Sequence, residues 1–401
     1  MLVKRTIADQ IMEAASEYPA VAIVGPRQSG KTTLAQTLFP SHVYISLEDY
    51  DVRELAHADP RRFLGDYPSE SGIILDEIQH APKLLSYIQT IADREKKHGF
   101  FIVTGSQNFL VNEAITQTLA GRMAVITLLP LSISELKGAG LLPEKIEALV
   151  FKGSYPKAHA ENPNIKRLYA NYLKLYVERD VRTIKMVADL NQFQTFMRLL
   201  AGRIGQIVDL TSLGNDCGIT QNTVKSWISI LEASYVIFPL HPYFNNFGKR
   251  LIKSPKIYFI DTGIACSLLK INSAEEVASH SLRGGLVESL IISDILKQYY
   301  NIDEAPRLYF WRDKVGHEVD CIIDQSQHPI PVEIKSGQTI ASDFFNNMMY
   351  WKKAAELPDV QSYLIYAGDK DQSWPQAQVL SWQSAGELVK NLEAGSHKGI
   401  F

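Results

Sequence analysis

Apolar and polar positions change period several times along this chain. In the first third, short continuous apolar runs (Val21–Val24, Gly72–Leu75, Phe100–Val103 and Met123–Leu129) alternate with stretches of helical spacing. Such runs read as strands covered on both faces, and the helical stretches as crossovers, which predicts a parallel sheet with helices around it. After Pro163 the pattern turns helical to about Leu200. Thr211–Cys217 reads as a short helix closed by Gly218, with Thr220 as the N-cap of the next helix. Val224, Trp227, Ile228 and Leu231 then fall at i, i+3, i+4 and i+7, one buried helical face, and Tyr235–Leu240 follows as a strand. Helix, tight turn, helix and strand outline a winged helix-turn-helix. From about Phe247 strands and helices mix again, so three regions are expected: 1–163, 164–246 and 247–401.

The sharpest chemical signal sits at the end of the first apolar run. Gly25-Pro26-Arg27-Gln28-Ser29-Gly30-Lys31-Thr32, followed by Thr33, fits GxxxxGK[ST] between a strand and the helical segment Lys31–Leu38. Backbone N–H groups of such a loop surround a polyphosphate; Lys31 reaches the β- and γ-phosphates and the Thr32 hydroxyl binds Mg²⁺. The run Gly72–Leu75 ends in Asp76-Glu77, which places Asp76 at the sheet's carboxyl edge to hold Mg²⁺ and Glu77 beside it to orient the attacking water. Thr104-Gly105-Ser106-Gln107-Asn108 closes the third run, with Thr104 or Ser106 a candidate γ-phosphate sensor, although these are also ordinary turn residues. Arg122 follows as a candidate arginine finger for a neighbouring subunit's nucleotide, against the plainer reading of a surface ion pair. No NKxD motif is present, which favours adenine over guanine.

A second constellation lies near the C-terminus. Pro331-Val332-Glu333-Ile334-Lys335 alternates with period two, so Glu333 and Lys335 share one face of a strand. Trp311–Asp324 reads as strand with a turn near Lys314–Gly316, bringing Asp320 within hairpin reach of Glu333. Asp followed by ExK on the next strand is the core of PD-(D/E)xK nucleases, where two carboxylates hold Mg²⁺ and the Lys positions the nucleophile. Glu288 shares an apolar helical face with Ile291, Ile292 and Ile295, and a carboxylate there needs a partner or a metal. Glu288, Asp320 and Glu333 are therefore expected to converge on a divalent ion beside Lys335. His317 is read as a local hydrogen-bonder and Asp261 as a helix cap.

Composition narrows the class. The chain has 401 residues, 46% hydrophobic and 21% charged, enough for more than one buried core and incompatible with disorder. A net charge of −3 leaves any nucleic-acid contact to local patches. One patch is Gln221, Asn222, Thr223 and Lys225 at the start of the second short helix, a segment equally suited to protein contacts. Another is Lys166, Arg167, Lys174, Arg179, Arg182 and Lys185 interleaved with Tyr169, Tyr172 and Tyr176, which reads either as a single-strand track or as a buried Tyr/Leu stripe. Three scattered cysteines (Cys217, Cys266 and Cys321) argue for a reducing compartment, and no run is long enough to span a bilayer, so a cytoplasmic location is expected.

GPRQSGKTTL, IILDEIQ, VTGSQ, LAGR, LGNDCGITQNTVKSWISILE and SPKIYFIDTG together resemble the AAA+-type ATP-binding proteins widespread in bacteria and archaea. Their C-terminal domain is similar to PD-(D/E)xK nucleases, in which a helical Glu, here Glu288, completes the metal site. The resemblance implies an α/β chain: a P-loop AAA+-type domain, a helical and winged-helix middle, and a nuclease-like C-terminal domain. It also implies ATP and Mg²⁺ as cofactors, an oligomer whose arginine crosses to the next site, and DNA or RNA as partner. Two functions remain open: ATP hydrolysis coupled to action on nucleic acid, with or without cleavage, and a nucleotide-switched binding protein whose C-terminal domain does not cut.

Overall fold

The computed structural model describes residues 2–67, 71–95, 97–106, 119–160, 163–181, 187, 189–243, 254–325 and 328–396. Its first sheet is built from β1 (Ala20–Val24), β2 (Val43–Ser46), β3 (Ile73–Asp76), β4 (Phe101–Gly105) and β5 (Met123–Thr127), all parallel, in the order β2-β3-β4-β1-β5. Period two sorts its side chains into two separate cores. Ala20, Ala22, Val24, Ile73, Leu75, Phe101 and Val103 pack with Leu84, Leu85 and Ile88 of the helix Leu84–Glu95. Val21, Ile23, Ile74 and Ile102 face the other way, onto Ile11 of the helix Ala8–Glu17 and Leu34 of the helix Lys31–Leu38. Burial on both faces explains the unbroken apolar runs of β1, β3 and β4. β2 was not expected: it is an edge strand only partly buried, so its polar and aromatic positions hide the period.

A second sheet has eight strands: β6 (Ile237–Pro242), β7 (Lys256–Phe259), β8 (Leu308–Arg312), β9 (Glu318–Ile323), β10 (Ile330–Lys335), β11 (Tyr363–Tyr366), β12 (Gln372–Ser373) and β13 (Gln378–Ser381). Their order is β12-β13-β11-β10-β9-β8-β6-β7, with β10 antiparallel to β9 and parallel to β11. Backbone contacts group the chain into two units, one of Met1–Leu131 with Ala233–Tyr235 and Tyr300–Glu304, the other holding the rest.

In the second unit the helix Leu210–Cys217 ends at Gly218, whose φ of 68° is the left-handed conformation a helix terminus favours. Thr220 Oγ1 accepts from Thr223 N at 3.1 Å, capping the helix Gln221–Ala233, and Val224, Trp227, Ile228 and Leu231 are all buried. Earlier, the helix Ile165–Leu175 runs into a wider turn at Tyr176–Val181. Tyr169, Tyr172 and Tyr176 are buried, so they serve the core and offer no stacking platform to a nucleic-acid strand. Arg182, Lys185, Gln107, Asn108 and Phe247 lie outside the described residues, as does the side chain of Arg179.

Asp261 caps the helix Thr262–Leu268 as expected, accepting from Ile264 N at 3.2 Å, and does more. Its other oxygen accepts from Ser154 N at 2.6 Å and from Ser154 Oγ at 2.9 Å, and Lys297 Nζ donates to Ser154 Oγ at 2.8 Å. All three side chains are buried, so a closed polar network lies inside this unit. Cys217, Cys266 and Cys321 are free and buried, and burial pushes each thiol's pKa up. Among the described residues no helix is long and apolar enough to cross a membrane.

Candidate functional site

The carboxyl edge of the first sheet gathers the phosphate-loop residues. Register places Ser46 beside Asp76 and Ile23 beside Thr104, so the ends of β1, β2, β3 and β4 meet. Gly25 leaves β1 at φ 147°, and a Cβ there would stand 2.2 Å from Leu128 O, so only glycine allows this approach. Gly30, at φ 98°, turns the chain into the helix Lys31–Leu38. Gln28 and Thr33 are exposed, Pro26 is buried and Arg27 is half-buried. Lys31 is 4% exposed and donates to the carbonyls of Gly25 at 3.1 Å and Pro26 at 2.8 Å. Ser29 Oγ is buried without a hydrogen-bond partner, a polar group that suits an oxyanion.

Across from the loop, Asp76 Oδ1 accepts from Thr32 Oγ1 at 2.8 Å and from Thr104 Oγ1, while Oδ2 accepts from Tyr44 Oη at 2.9 Å. Burial first, then the bond to Asp76, pushes the Tyr44 phenol up to about 12. The Thr32 hydroxyl and Asp76 carboxylate are hard oxygen donors of the kind Mg²⁺ takes, and they lie together. Glu77 is held at φ 58°, its N–H donating to Thr104 Oγ1 at 3.1 Å. Gln79 Nε2 and Ser106 Oγ (3.1 Å) both donate to Glu77 Oε2. Burial alone would raise the Glu77 pKa, but the Lys31 ammonium, the Gln79 bond and the Arg27 charge hold it below the usual carboxylate range. Sequence reasoning missed Tyr44, Gln79 and Arg5. Arg5 is 6% exposed and donates to Ser29 O at 2.8 Å and Leu129 O at 2.6 Å, bracing the loop from behind. Arg122 pairs with Asp93 of its own chain at the surface.

In the second unit Glu288, Asp320 and Glu333 come together with Lys335. β9 and β10 pair so that Asp320 Oδ2 accepts from Ile334 N at 2.8 Å, and Lys335 Nζ donates to Glu333 Oε1 at 2.6 Å. Glu333 Oε2 is buried with no partner. Sequence reasoning missed a second lysine beside Glu288 and Asp320, Lys256 on β7. It is 2% exposed; Nζ lies 2.9 Å from Glu288 Oε1, pairs with Glu318, and stands 4.0 Å from Asp320 Oδ1. Tyr258 Oη also donates to Glu288, and Arg312 pairs with Glu318 at 3.0 Å. Burial pushes the Glu288 and Glu333 carboxyls upward and Asp320 adds to both, against the pull of Lys256 on Glu288 and of Lys335 on Glu333. Among the described residues no three His, Cys, Asp or Glu side chains are arranged to hold a metal ion. The Lys256 ammonium therefore stands among these carboxylates. No local sequence signal points to Lys256; it lies in a short strand whose four positions are all buried. His317 bonds locally, to Asp313 Oδ2 at 3.1 Å.

Residues 17–137 match a family model described as an AAA domain, so the first unit carries an AAA-type P-loop domain. Residues 143–275 and 283–385 match two models described as domains of unknown function (DUF8612 and DUF4143), which bring no evidence of a nuclease-like fold. An uncharacterized protein of Mycobacterium tuberculosis is 26% identical over 346 residues, 84% of this chain and 75% of the relative. One of Methanocaldococcus jannaschii is 23% identical over 379 residues, 82% of this chain and 78% of the relative. Among solved structures, a Walker-type ATPase of Pyrococcus abyssi is distantly alike (16% identity, TM-score 0.47), covering 67% of this chain and 96% of its own. The RuvB Holliday junction branch migration motor of Thermotoga maritima is more distant (17% identity, TM-score 0.31), covering 58% of this chain and 88% of its own.

Proposed function

We propose that this protein binds ATP with Mg²⁺ and hydrolyses it, and that hydrolysis drives or gates an action on nucleic acid. One observation carries the ATPase reading: Thr32, Thr104 and Tyr44 converge on Asp76 beside the Lys31 loop, with Glu77 adjacent. In this reading Gly25 to Thr33 cradle the phosphates, Lys31 leaves its two carbonyls for the β- and γ-phosphates, and Thr32 and Asp76 hold Mg²⁺. The ion, when bound, neutralises charge on the β- and γ-phosphates. Glu77 orients the attacking water and receives its proton, and Thr104 senses the γ-phosphate. Lys31→Ala should weaken ATP binding at least about tenfold, read by equilibrium titration with a fluorescent ATP analogue. Unchanged affinity would remove the loop from the reading.

Arg122 belongs to the proposal as a residue for a neighbouring copy's nucleotide. Its pair with Asp93 is solvent-exposed and screened, so exchanging it for a phosphate costs little. Arg122→Ala should bind ATP normally and hydrolyse it roughly tenfold more slowly, in an assembly that forms with ATP. A protein that stays monomeric by light scattering with ATP and Mg²⁺, yet turns over fully, would end the role in trans.

For the second unit, the hairpin of Asp320 and Glu333-x-Lys335 with helical Glu288 supports a nuclease-like arrangement, and the helices Leu210–Cys217 and Gln221–Ala233 with β6 support a winged-helix segment. Between cleavage and a nucleotide-switched binding role, the Lys256 ammonium among the carboxylates favours the second. Assaying ATP turnover with and without DNA and RNA, alongside cleavage, separates the two: stimulation without cleavage supports binding.

A further inference from the structure

We infer that Lys256 is the resident cation of the carboxylate cluster in the second unit and keeps divalent ions out of it. The inference rests on the non-cleaving reading above and gives it a mechanism. An ammonium with Glu288 and Glu318 as direct partners, and Asp320 at 4.0 Å, occupies the point where carboxylates from β9 and the helix Arg283–Asn301 would share an ion. Mg²⁺ needs carboxylate oxygens at about 2.0–2.1 Å, a shell it cannot close while an ammonium lies between them.

Charge balance points the same way. Glu288, Glu318, Asp320 and Glu333 supply four carboxylates, and Lys256, Lys335 and Arg312 answer with three cations. A divalent ion added to that set would leave positive charge in excess in a largely buried site, at high desolvation cost. Lys256 also has little freedom to leave. It is 2% exposed, rooted in β7, and its Nζ lies 5.8 Å from the centre of the Phe310 ring. The turn at Gly205 closes over the partner side: Gly205 N donates to Ile257 O at 3.0 Å, and a Cβ on Gly205 would meet Glu288 Oε2 at 3.2 Å.

Taking the charge away should expose the latent ion site. Glu288 and Asp320 would lose their ammonium, and Glu333 Oε2 is already buried without a partner. Mn²⁺ is the probe, counted by electron paramagnetic resonance on nucleotide-free full-length protein. Wild type and Lys256→Arg should take up no Mn²⁺ in a way that depends on Asp320. Lys256→Met should bind one Mn²⁺ per chain at least about tenfold more tightly than wild type, and Asp320→Asn in that background should abolish it. Lys256→Gln provides the same test with a polar side chain if the methionine variant does not fold. Asp320-dependent Mn²⁺ binding by wild type overturns the inference without any Lys256 variant, as does folded Lys256→Met or Lys256→Gln that binds no more than wild type. ATP turnover, unchanged in these variants, keeps failure here distinct from failure of the ATPase reading. Wild-type cleavage with Mn²⁺ would sink the non-cleaving reading as well; Asp320-dependent binding without cleavage would sink this inference alone.

Discussion

Glutamine in place of Glu77 should leave ATP affinity nearly unchanged and slow hydrolysis by about 10²–10⁴-fold, the usual worth of a positioned general base. The backbone makes the side chain's place specific. Glu77 sits in the left-handed region at φ 58°, anchored through its N–H to Thr104, so the residue directly after Asp76 turns back over the sheet edge. Gln79 and Ser106 hold one carboxylate oxygen, and the lowered pKa keeps the group ionised at neutral pH. Glutamine keeps the shape and one acceptor oxygen but cannot take a proton from water. Phosphate release under saturating ATP, measured beside equilibrium binding, separates the two effects. Wild-type turnover in Glu77→Gln would assign the water to another group.

Asp261→Ala should destabilise the second unit by about 3 kcal/mol or more, because it strands three buried donors at once. Ser154 N, Ser154 Oγ and Ile264 N all lose their acceptor, and the Lys297 ammonium loses the carboxylate behind Ser154. Each unsatisfied buried group costs about 1–3 kcal/mol. In a unit of this size the midpoint of thermal unfolding should fall by roughly 6–12 °C. Asp261→Asn keeps one oxygen acceptor and should fall between the two. A midpoint within a degree of wild type would mean that the network is relaxed by solvent or by repacking.

The first sheet was largely legible because burial on both faces leaves β1, β3 and β4 with unbroken apolar runs, and because the loop motif needs only contiguous residues. Tyr44 and Arg5 were not. Tyr44 lies on a half-exposed edge strand with no clean period, and Arg5 meets Ser29 and Leu129 only through tertiary packing. In the second unit, strand alternation and hairpin spacing correctly brought Asp320 beside Glu333. Lys256 comes from a strand on the far edge of the sheet, and nothing local marks a lysine as the counter-ion of carboxylates more than 30 residues away.

The placement of the three thiols has an experimental consequence. Cys217, Cys266 and Cys321 all belong to the second unit, and all are buried and reduced. A thiol-reactive dye therefore reads the opening of that unit and is silent on the first, which contains no cysteine. Labelling rates would report Asp261→Ala loosening directly, without deconvoluting two overlapping melting curves. A single cysteine introduced on the surface of the first unit would be the one fast-reacting site on the native molecule, ready to carry a fluorophore that tests whether nucleotide drives assembly.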